Sequence, residues 1–485
     1  MNRSHISLGV RPLSVVVFAS LVGHSVPAFS AVDRSKPPPP AAVRPFVIEK
    51  PTELTLKNGM KVHFLKRTRA PLVDVIAVVE AGALFDPKDQ PGLAAFTAQM
   101  LTQGAGSRDT FAFDDAVRGL GADLSASASW EQATVALHVP SKSLADAMPL
   151  FADALLRPRF DEDAWQRKQG ELGGELMFLR NEPRFLGGLA AARALYGESR
   201  LGWNLGGTLP SLRSTKRADL VAFHQVHFRP DTTFLVVVGD VDAKSLVALL
   251  EKNLQGFAAD GPRPIMDKPQ EPGDIAGTDV ILVDNPGAPQ SVVRVVAKAA
   301  PELLPLDPAV GVMSTLLGGS FTSRLNTNLR EVHGYAYGAG FSVSVRPAHT
   351  SVVSTSVATA ATIPAIAEIL HELGRMKEPA AAEEIARARA YDALTFPSAF
   401  DGGRSTAYAW AGWRQQRVPD ARITSYMEAA QKIDAAAVVA MAGHTMDPDK
   451  SHIVVVGDAA KLEKELARFG AVRKVPVEAL LPAPN

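Results

Sequence analysis

One segment of the chain occurs twice, and this repeat limits the fold more than any other sequence feature. Residues 230–240 read PDTTFLVVVGD and residues 448–458 read PDKSHIVVVGD, so seven of eleven positions are identical at an offset of 218 residues. A period this long indicates a duplicated domain, because solenoid and propeller repeats are only about 20–50 residues long. The chain of 485 residues is also too long for one hydrophobic core. The repeat therefore predicts two homologous halves.

Both halves show the same succession of strand-like and helix-like hydrophobic patterns. Residues 124–139 and 341–357 alternate between apolar and polar side chains, as strands do, and an amphipathic helical pattern follows each stretch. This order predicts an α+β fold with antiparallel pairing. We expect an N-terminal domain at residues 46–257, a proline-rich linker at residues 258–275 and a C-terminal domain at residues 276–480. Such a linker suggests a hinged pair of domains with a ligand between them.

The composition excludes several classes of function. Basic and acidic residues both number 51, so the chain lacks the basic excess that nucleic-acid-binding proteins usually carry. It contains no cysteine, which excludes disulfides, thiol catalysis and cysteine-ligated zinc.

The amino terminus has the layout of a secretory signal peptide. Two arginines precede the apolar residues 13–22, small residues follow, and no acid occurs before Asp33. A mitochondrial presequence would be amphipathic and rich in arginine, and the apolar run is neither. We therefore predict a signal peptide at residues 1–30, a proline-rich tether at residues 31–45, and a periplasmic or secreted protein without a membrane span.

Four short motifs of the first half are those of a known family. They are Asn58-Gly59, Glu80-Ala81-Gly82, Gly92-Leu93-Ala94 and the HFRPD motif at residues 227–231. On these motifs the chain resembles the pitrilysin/insulinase (inverzincin) family of metallopeptidases. The resemblance implies two pitrilysin-like domains, each an antiparallel sheet with helices packed on it. In that family the Gly-Leu-Ala motif leads into H-x-x-E-H on a helix, where two imidazoles bind zinc and the glutamate activates water.

The zinc motif is degenerate in this chain. Ala95, Ala98 and Gln99 stand where the family has histidine, glutamate and the second histidine. A methyl group has no lone pair, and an amide oxygen is a poor substitute for imidazole at a zinc site. By the resemblance, Glu175 matches the third zinc ligand, but one carboxylate does not hold catalytic zinc, and a surface acid is the simpler interpretation. We predict no metal and no other cofactor in this chain, with zinc in a partner subunit.

A pair of histidines offers a second candidate metal site. His224 and His227 are three residues apart, a spacing that can present two imidazoles to one metal from a helix. No acid is well placed to join them. Two half-exposed histidines at the end of a helix are therefore the simpler interpretation.

The second half retains motifs that the resemblance connects with substrate. Gly318 and Gly319 form a glycine turn, and Arg330 and Tyr337 lie seven residues apart in L-R-E-x-x-G-x-x-Y. In active relatives this arginine and tyrosine reach the substrate beside the zinc, which implies substrate contact here. A guanidinium and a phenol can hold a peptide carbonyl and stabilise its oxyanion. Without the resemblance, Arg330 could instead complement the helix C-terminal dipole, and Tyr337 could pack under the sheet.

The resemblance also predicts where a peptide binds. Peptides in this family add a strand to an exposed sheet edge, which here corresponds to residues 124–128. Ser125 and Ala126 would then contact the peptide, where active relatives usually have Asn-Ala. Ser125 keeps a hydrogen-bonding group but lacks the amide.

These features predict a non-catalytic subunit of a periplasmic zinc metallopeptidase complex. The chain would be inactive alone, would bind unfolded peptides and would supply Arg330 and Tyr337 in trans to a zinc-bearing sister subunit. Two alternatives remain open. The chain could be a structural or assembly subunit, like the core proteins of the respiratory cytochrome bc complex, or a stand-alone peptide-binding homodimer.

Overall fold

The first half folds around one six-stranded sheet. The computed structural model describes residues 46–482, so the predicted signal peptide and tether lie outside the described residues. The strands are β1 (Thr52–Thr55), β2 (Lys61–Lys66), β3 (Leu72–Val79), β4 (Asp123–Ala128), β5 (Ala133–Pro140) and β6 (Thr233–Gly239). Their order is β1-β2-β6-β3-β5-β4, and every pair is antiparallel except β2 with β6.

Helices follow the strands of the first half. They are α1 (Leu93–Met100), α2 (Thr110–Gly119), α3 (Leu144–Leu156), α4 (Glu162–Leu179), α5 (Pro183–Tyr196), α6 (Leu209–Ser214), α7 (Arg217–His227) and α8 (Ala243–Asn253). Short 3₁₀ turns lie at Ala83–Phe85, Ser141–Ser143, Arg200–Gly202 and Pro230–Thr232. The central strand β3 is an almost continuous apolar run because both of its faces are buried. Val75 faces the main core of the first half, and Ile76 faces a separate cluster on the opposite side.

The second half repeats this arrangement. Its strands are β7 (Asp279–Asp284), β8 (Gln290–Lys298), β9 (Ala336–Ser344), β10 (Thr350–Ala358), β11 (His452–Gly457) and β12 (Ala471–Lys474), in the order β12-β7-β11-β8-β10-β9. Its α-helices are α9 (Pro308–Ser314), α10 (Arg324–Asn326), α11 (Thr362–Arg375), α12 (Ala382–Thr395), α13 (Gly403–Gln415), α14 (Asp420–Gln431), α15 (Ala435–Thr445), α16 (Ala459–Leu466) and α17 (Val477–Leu480). Thr315–Gly319 and Thr327–Val332 are π-helical, and Thr359–Ala361 and Phe396–Phe400 are 3₁₀ turns.

The two sheets confirm the α+β class and the duplication. The repeated segments form β6 and β11, which occupy the same place in the two strand orders. The sheets differ at one edge. In the first sheet this edge is β1, which precedes β2 and pairs with it antiparallel, whereas in the second it is the C-terminal strand β12, which pairs with β7 in parallel.

The two halves exchange one helix each. Helix α5 of the first half packs on β8 and β11 of the second sheet, and α13 of the second half packs on β3 and β6 of the first. Both helices approach the sheet through a glycine. A Cβ on Gly187 would lie 3.3 Å from Val292 and 3.4 Å from Val456, and a Cβ on Gly403 would lie 2.6 Å from the Asp74 carboxylate. A helix from the other half thus covers the outer face of each sheet.

This exchange differs from the simple hinged pair that the linker suggested. Residues 254–278 contain no helix or strand, in agreement with a linker, but they are held to the first half. The guanidinium of Arg229, in the HFRPD motif, donates hydrogen bonds to the carbonyls of Asp260, Gly261 and Pro262 at 2.9–3.0 Å. A shared core and an anchored linker leave no free hinge between the halves.

The described part of the chain offers no membrane-spanning helix. No helix within residues 46–482 is both long enough and apolar enough to cross a bilayer.

Candidate functional site

Helix α1 carries the degenerate zinc motif and starts at a fixed position. Gly92 has a φ of 97°, a left-handed conformation that favours glycine. A Cβ there would lie 2.6 Å from the Cα of Gly207, so the backbone at the start of the Gly-Leu-Ala motif packs directly against the loop that contains Gly207. The carboxylate of Asp86 accepts hydrogen bonds from the N–H groups of Gly92 at 2.7 Å and Ala94 at 2.8 Å. Asp86 therefore satisfies two free amides of the helix N-terminus.

The three substituted positions of the zinc motif lie together on α1. Ala95 and Ala98 are buried, and Gln99 is half-buried. Because Ala98 has no exposed surface, a glutamate there would force its neighbours to move. Glu175 is exposed on α4, which meets α1 near Trp165. Glu175 is ten residues further along α4 than Trp165, which is about 15 Å along the helix axis. Among residues 46–482, no three His, Asp or Glu side chains are grouped to hold a metal ion.

The histidine pair on α7 has packing partners within the first half. The Nε2 atom of His224 lies 3.0 Å from the carbonyl oxygen of Leu155, and His227 packs between the rings of Phe85 and Phe223. Burial lowers the pKa of each imidazole to about 4, so both are neutral near pH 7. The expectation of two half-exposed histidines holds for His224 and is wrong for His227, which is buried in the aromatic core.

The glycine pair of the second half lies in the first π-helical turn. A Cβ on Gly318 would lie 2.5 Å from the amide nitrogen of Phe341, so glycine permits close packing of this turn against β9. Gly319 follows on the exposed surface. That Gly318 and Gly319 lie next to a bound substrate stays a prediction, and the open position of Gly319 is the one that a ligand can reach.

Arg330 and Tyr337 lie on either side of a helix end. Arg330 belongs to the π-helical turn Thr327–Val332, and Tyr337 lies on β9. Between them, Gly334 has a φ of 64°, and its N–H donates to the carbonyl of Arg330 at 3.2 Å. The glycine thus ends the helix in a left-handed conformation, as the sequence predicts.

The two side chains are held in different ways. The guanidinium of Arg330 lies over the ring of Phe321, with 3.7 Å between Cζ and the ring centroid. Its Nη1 lies 3.0 Å from Glu331, but the angles are not those of a hydrogen bond, and Nη1 is a buried donor without an acceptor. Tyr337 is 93% exposed, so the alternative that it packs under the sheet is wrong. No hydrogen bond joins Arg330 and Tyr337 in the described structure.

The predicted peptide-binding strand is an edge strand. β4 pairs with β5 on one side and is last in the strand order of the first sheet. Ser125 is exposed on it and Ala126 is half-buried. β9, which carries Tyr337, is the corresponding edge of the second sheet.

Two features of this region were missed from the sequence. Phe321, which is 61% exposed, supports the Arg330 guanidinium, and its place in the glycine turn was the only signal. Glu131 is buried in the β4–β5 turn, where it pairs with Arg346 and accepts a hydrogen bond from Gln415 at 2.7 Å. Since Arg346 lies between β9 and β10, this contact joins the ends of the two edge hairpins. A lone glutamate in a polar turn gave no sign of it.

Known families match most of the described chain. Residues 62–192 match the family described as "Insulinase (Peptidase family M16)", and residues 214–391 match the "Peptidase M16 inactive domain". The chain belongs to the insulinase family, M16. Its members among curated proteins include an uncharacterized zinc protease of Mycobacterium leprae, 26% identical over 58% of this chain and 63% of the relative. A probable mitochondrial-processing peptidase subunit beta of Arabidopsis thaliana is 24% identical over 54% of this chain and 50% of the relative.

Solved structures of the M16 fold resemble the whole described unit. A peptidase M16 inactive domain from Pseudomonas fluorescens has a TM-score of 0.77 and 21% identity, covering 84% of this chain and 98% of the other. The first half of the periplasmic protease PqqL from Escherichia coli has a TM-score of 0.70 and 16% identity, over 86% and 94%. A chain of Complex III from Candida albicans has the same score and identity, over 86% and 99%. These likenesses confirm the fold.

The matched region spans less than two thirds of the length of the first of these curated relatives. It covers 63% of the mycobacterial protein and 50% of the plant protein. The family therefore establishes an M16 fold, and the activity of those whole relatives reaches this chain only as a proposal.

The buried Asp86 at the start of α1 gives this fold a pH-dependent stability. Burial raises the pKa of the carboxyl from 3.8 to about 7, although backbone N–H groups at α1 oppose the rise. The folded state then holds a proton between pH 4 and 7 that the unfolded state releases. We expect this group to lower the free energy of unfolding by up to about 1.4 kcal/mol per pH unit as pH rises through that window.

The measurement is urea unfolding of the unmodified chain and Asp86→Asn at several pH values between 4 and 8. Asparagine keeps the size of the side chain and one acceptor but does not titrate. The difference in unfolding free energy between the two proteins should shift toward the variant as pH rises. Parallel pH profiles would show that Asp86 does not titrate in this range.

Proposed function

We propose that this chain is a non-catalytic subunit of a periplasmic zinc metallopeptidase complex. In this proposal it binds unfolded peptide and supplies Arg330 and Tyr337 to the active site of a zinc-bearing sister subunit of the same family. The chain contains no zinc or other cofactor of its own. After removal of the predicted signal peptide, it would act as a heterodimer in the periplasm.

The exposure of Tyr337 is the observation that carries this proposal. An aromatic side chain that is 93% exposed adds nothing to the packing of its own domain. It stands on an edge strand, seven residues along the chain from an arginine whose guanidinium is fixed over Phe321. A fixed guanidinium and a free phenol suit a carbonyl group brought in by another molecule.

The residues of α1 in the first half support the same interpretation. Ala95 and Ala98 replace a ligand and the base in α1, so Arg330 and Tyr337 have no zinc motif in their own chain to serve. The fold of the chain corresponds to about half of a longer protease, because the likeness covers 50% of the full PqqL chain with a TM-score of 0.69. A second two-domain unit would supply the other half of such an enzyme.

A structural subunit is the second candidate. The likeness to a chain of Complex III favours it, since that fold occurs there within a larger assembly. A scaffold would need neither the bracing of Arg330 nor the free hydroxyl of Tyr337, and it would leave the partner's turnover independent of both.

Reconstitution tests the main proposal. The chain would be purified alone and together with a family member from the same genome whose H-x-x-E-H motif is intact. We expect less than stoichiometric zinc and no peptide hydrolysis for the chain alone, and cleavage of an unfolded peptide when both subunits are present. About one zinc per isolated chain, with hydrolysis, would contradict the proposal. Full activity of the sister subunit alone would favour a scaffold.

A further inference from the structure

We propose that a cavity beyond the end of β4 receives an aromatic side chain of the bound peptide. This inference rests on the peptide-binding function proposed above and adds a specificity to it. The cavity has a volume of about 850 Å³ and lies between the loop before α1, the segment after α5 and the linker. Its apolar wall is formed chiefly by Leu84, Trp130, Leu195, Tyr196, Leu201 and Trp203.

The chemistry of the wall favours an apolar occupant. Arg200 donates to the carbonyl of Leu84 and lies 3.5 Å from Asp267, so its charge is already paired. Asp86, on the same wall, is occupied by the amides of α1. Lys88 and Lys268 also line the cavity, but the larger part of the surface left for a ligand comes from the aromatic and aliphatic side chains. Rings pack well against such surfaces in offset or edge-to-face arrangements.

Two polar atoms of the wall have no hydrogen-bond partner. The Nε of Arg200 and the Oγ of Ser199 are buried and unpaired in the described structure. Buried donors of this kind normally have an acceptor. Both atoms have almost no accessible surface, so a peptide in the cavity does not reach them. The volume lies within the range of pockets that enclose drug-sized ligands, so a ring and its adjoining peptide unit both fit.

The cavity adjoins the end of the predicted peptide-binding strand. Trp130 follows the last residue of β4 by two positions. The 3₁₀ turn Ala83–Phe85 closes this end, because the N–H groups of Ala83 and Leu84 donate to the carbonyls of Ser129 and Trp130 at 2.9 and 2.8 Å. An extended peptide advances about 3.3 Å per residue, so one that pairs with β4 reaches the cavity two or three residues beyond the strand.

Two linker glycines offer a matched pair of variants. Gly273 lines the cavity, and no atom lies within 4 Å of a Cβ built on it. Gly277 is equally open but lies outside the cavity lining. Gly273→Trp should therefore fill the cavity without disturbing the fold, and Gly277→Trp should add the same side chain elsewhere. Thermal melts of both variants would confirm that they fold like the unmodified chain.

The test is fluorescence anisotropy with the purified chain and labelled, unstructured peptides. The peptides are identical except that one phenylalanine occupies successive positions or is absent. We expect phenylalanine at one position to tighten binding on the order of 10- to 100-fold, the effect of burying a benzyl group. Gly273→Trp should abolish this preference, and Gly277→Trp should keep it.

The outcomes distinguish failure of the aromatic subsite from failure of the proposed peptide-binding function. If all the peptides bind the unmodified chain equally, or if Gly273→Trp retains the preference, the cavity is not the aromatic subsite, while peptide binding itself still stands. If no peptide binds, the subsite and the peptide-binding function both fail. The contribution of Arg330 to a partner's turnover is measured separately and does not depend on the cavity.

Discussion

Arg330→Ala is expected to lower the turnover of the reconstituted two-subunit complex by on the order of 10²–10³, the usual effect of removing one oxyanion donor. The guanidinium is already fixed over Phe321, so little ordering is needed when a carbonyl arrives. Tyr337→Phe removes only the hydroxyl of a side chain that is 93% exposed, and it should give a loss of the same kind but smaller size. Steady-state cleavage of an unfolded peptide measures both variants.

The control is an arginine in a similar setting elsewhere in the second half. Arg468 lies over the ring of Phe469 at 5.8 Å and is exposed on the surface. Arg468→Ala should leave turnover unchanged. Zinc content of the partner and assembly of the complex should be the same for all variants. If Arg330→Ala and Tyr337→Phe also assemble and cleave at the unmodified rate, the pair does not contact substrate, and the scaffold function should be preferred.

Trp410→Ala is expected to lower the free energy of unfolding by about 3–5 kcal/mol, the usual effect of truncating a buried tryptophan. Trp410 lies on α13 and is fully buried, in a cluster that includes Ile76 of β3 and Val236 of β6. The change is in the second half of the sequence, but the cavity opens against the sheet of the first. Urea unfolding measures the stability, and hydrogen exchange should show faster exchange in β3.

A second residue of α13 provides the comparison. Tyr408 is on the same helix and is 45% exposed, so Tyr408→Ala should cost far less. Trp410→Phe should also be milder than Trp410→Ala, because it keeps a ring and removes an indole N–H that has no acceptor. Equal losses for Trp410→Ala and Tyr408→Ala, or unchanged exchange in β3, would contradict the packing of α13 on the first sheet.

The duplicated strands could be predicted from the sequence because a buried strand is recognisable locally as an apolar run. β6 and β11 are central strands, and their apolar runs appear twice in the chain. The exchange of α5 and α13 could not be predicted in this way. Hydrophobic period shows that a helix has a buried face, but it does not show which sheet that face covers. The one available signal was the repeated F-x-G-G at Phe185 and Phe400, whose glycines permit close approach to a sheet.

The candidate site also has a part that could be predicted from the sequence and a part that could not. The resemblance of the preceding Gly-Leu-Ala motif predicts that Ala95 and Gln99 stand at zinc-ligand positions, and residue chemistry then shows that these side chains are unsuited to zinc. The support of Arg330 by Phe321 and the freedom of Tyr337 depend on distance and exposure. Those properties arise from how the π-helical turn and β9 pack together, and no local pattern encodes them.

The exchanged helices bear on how such a chain could have arisen. If the first half were separated at the linker, its helix α5 would have no sheet to pack on. The outer face of its own sheet would be exposed to solvent. Two copies of that half could satisfy each other by swapping their helices, as domain-swapped dimers do. The present chain has the geometry of such a dimer after its two subunits were fused end to end.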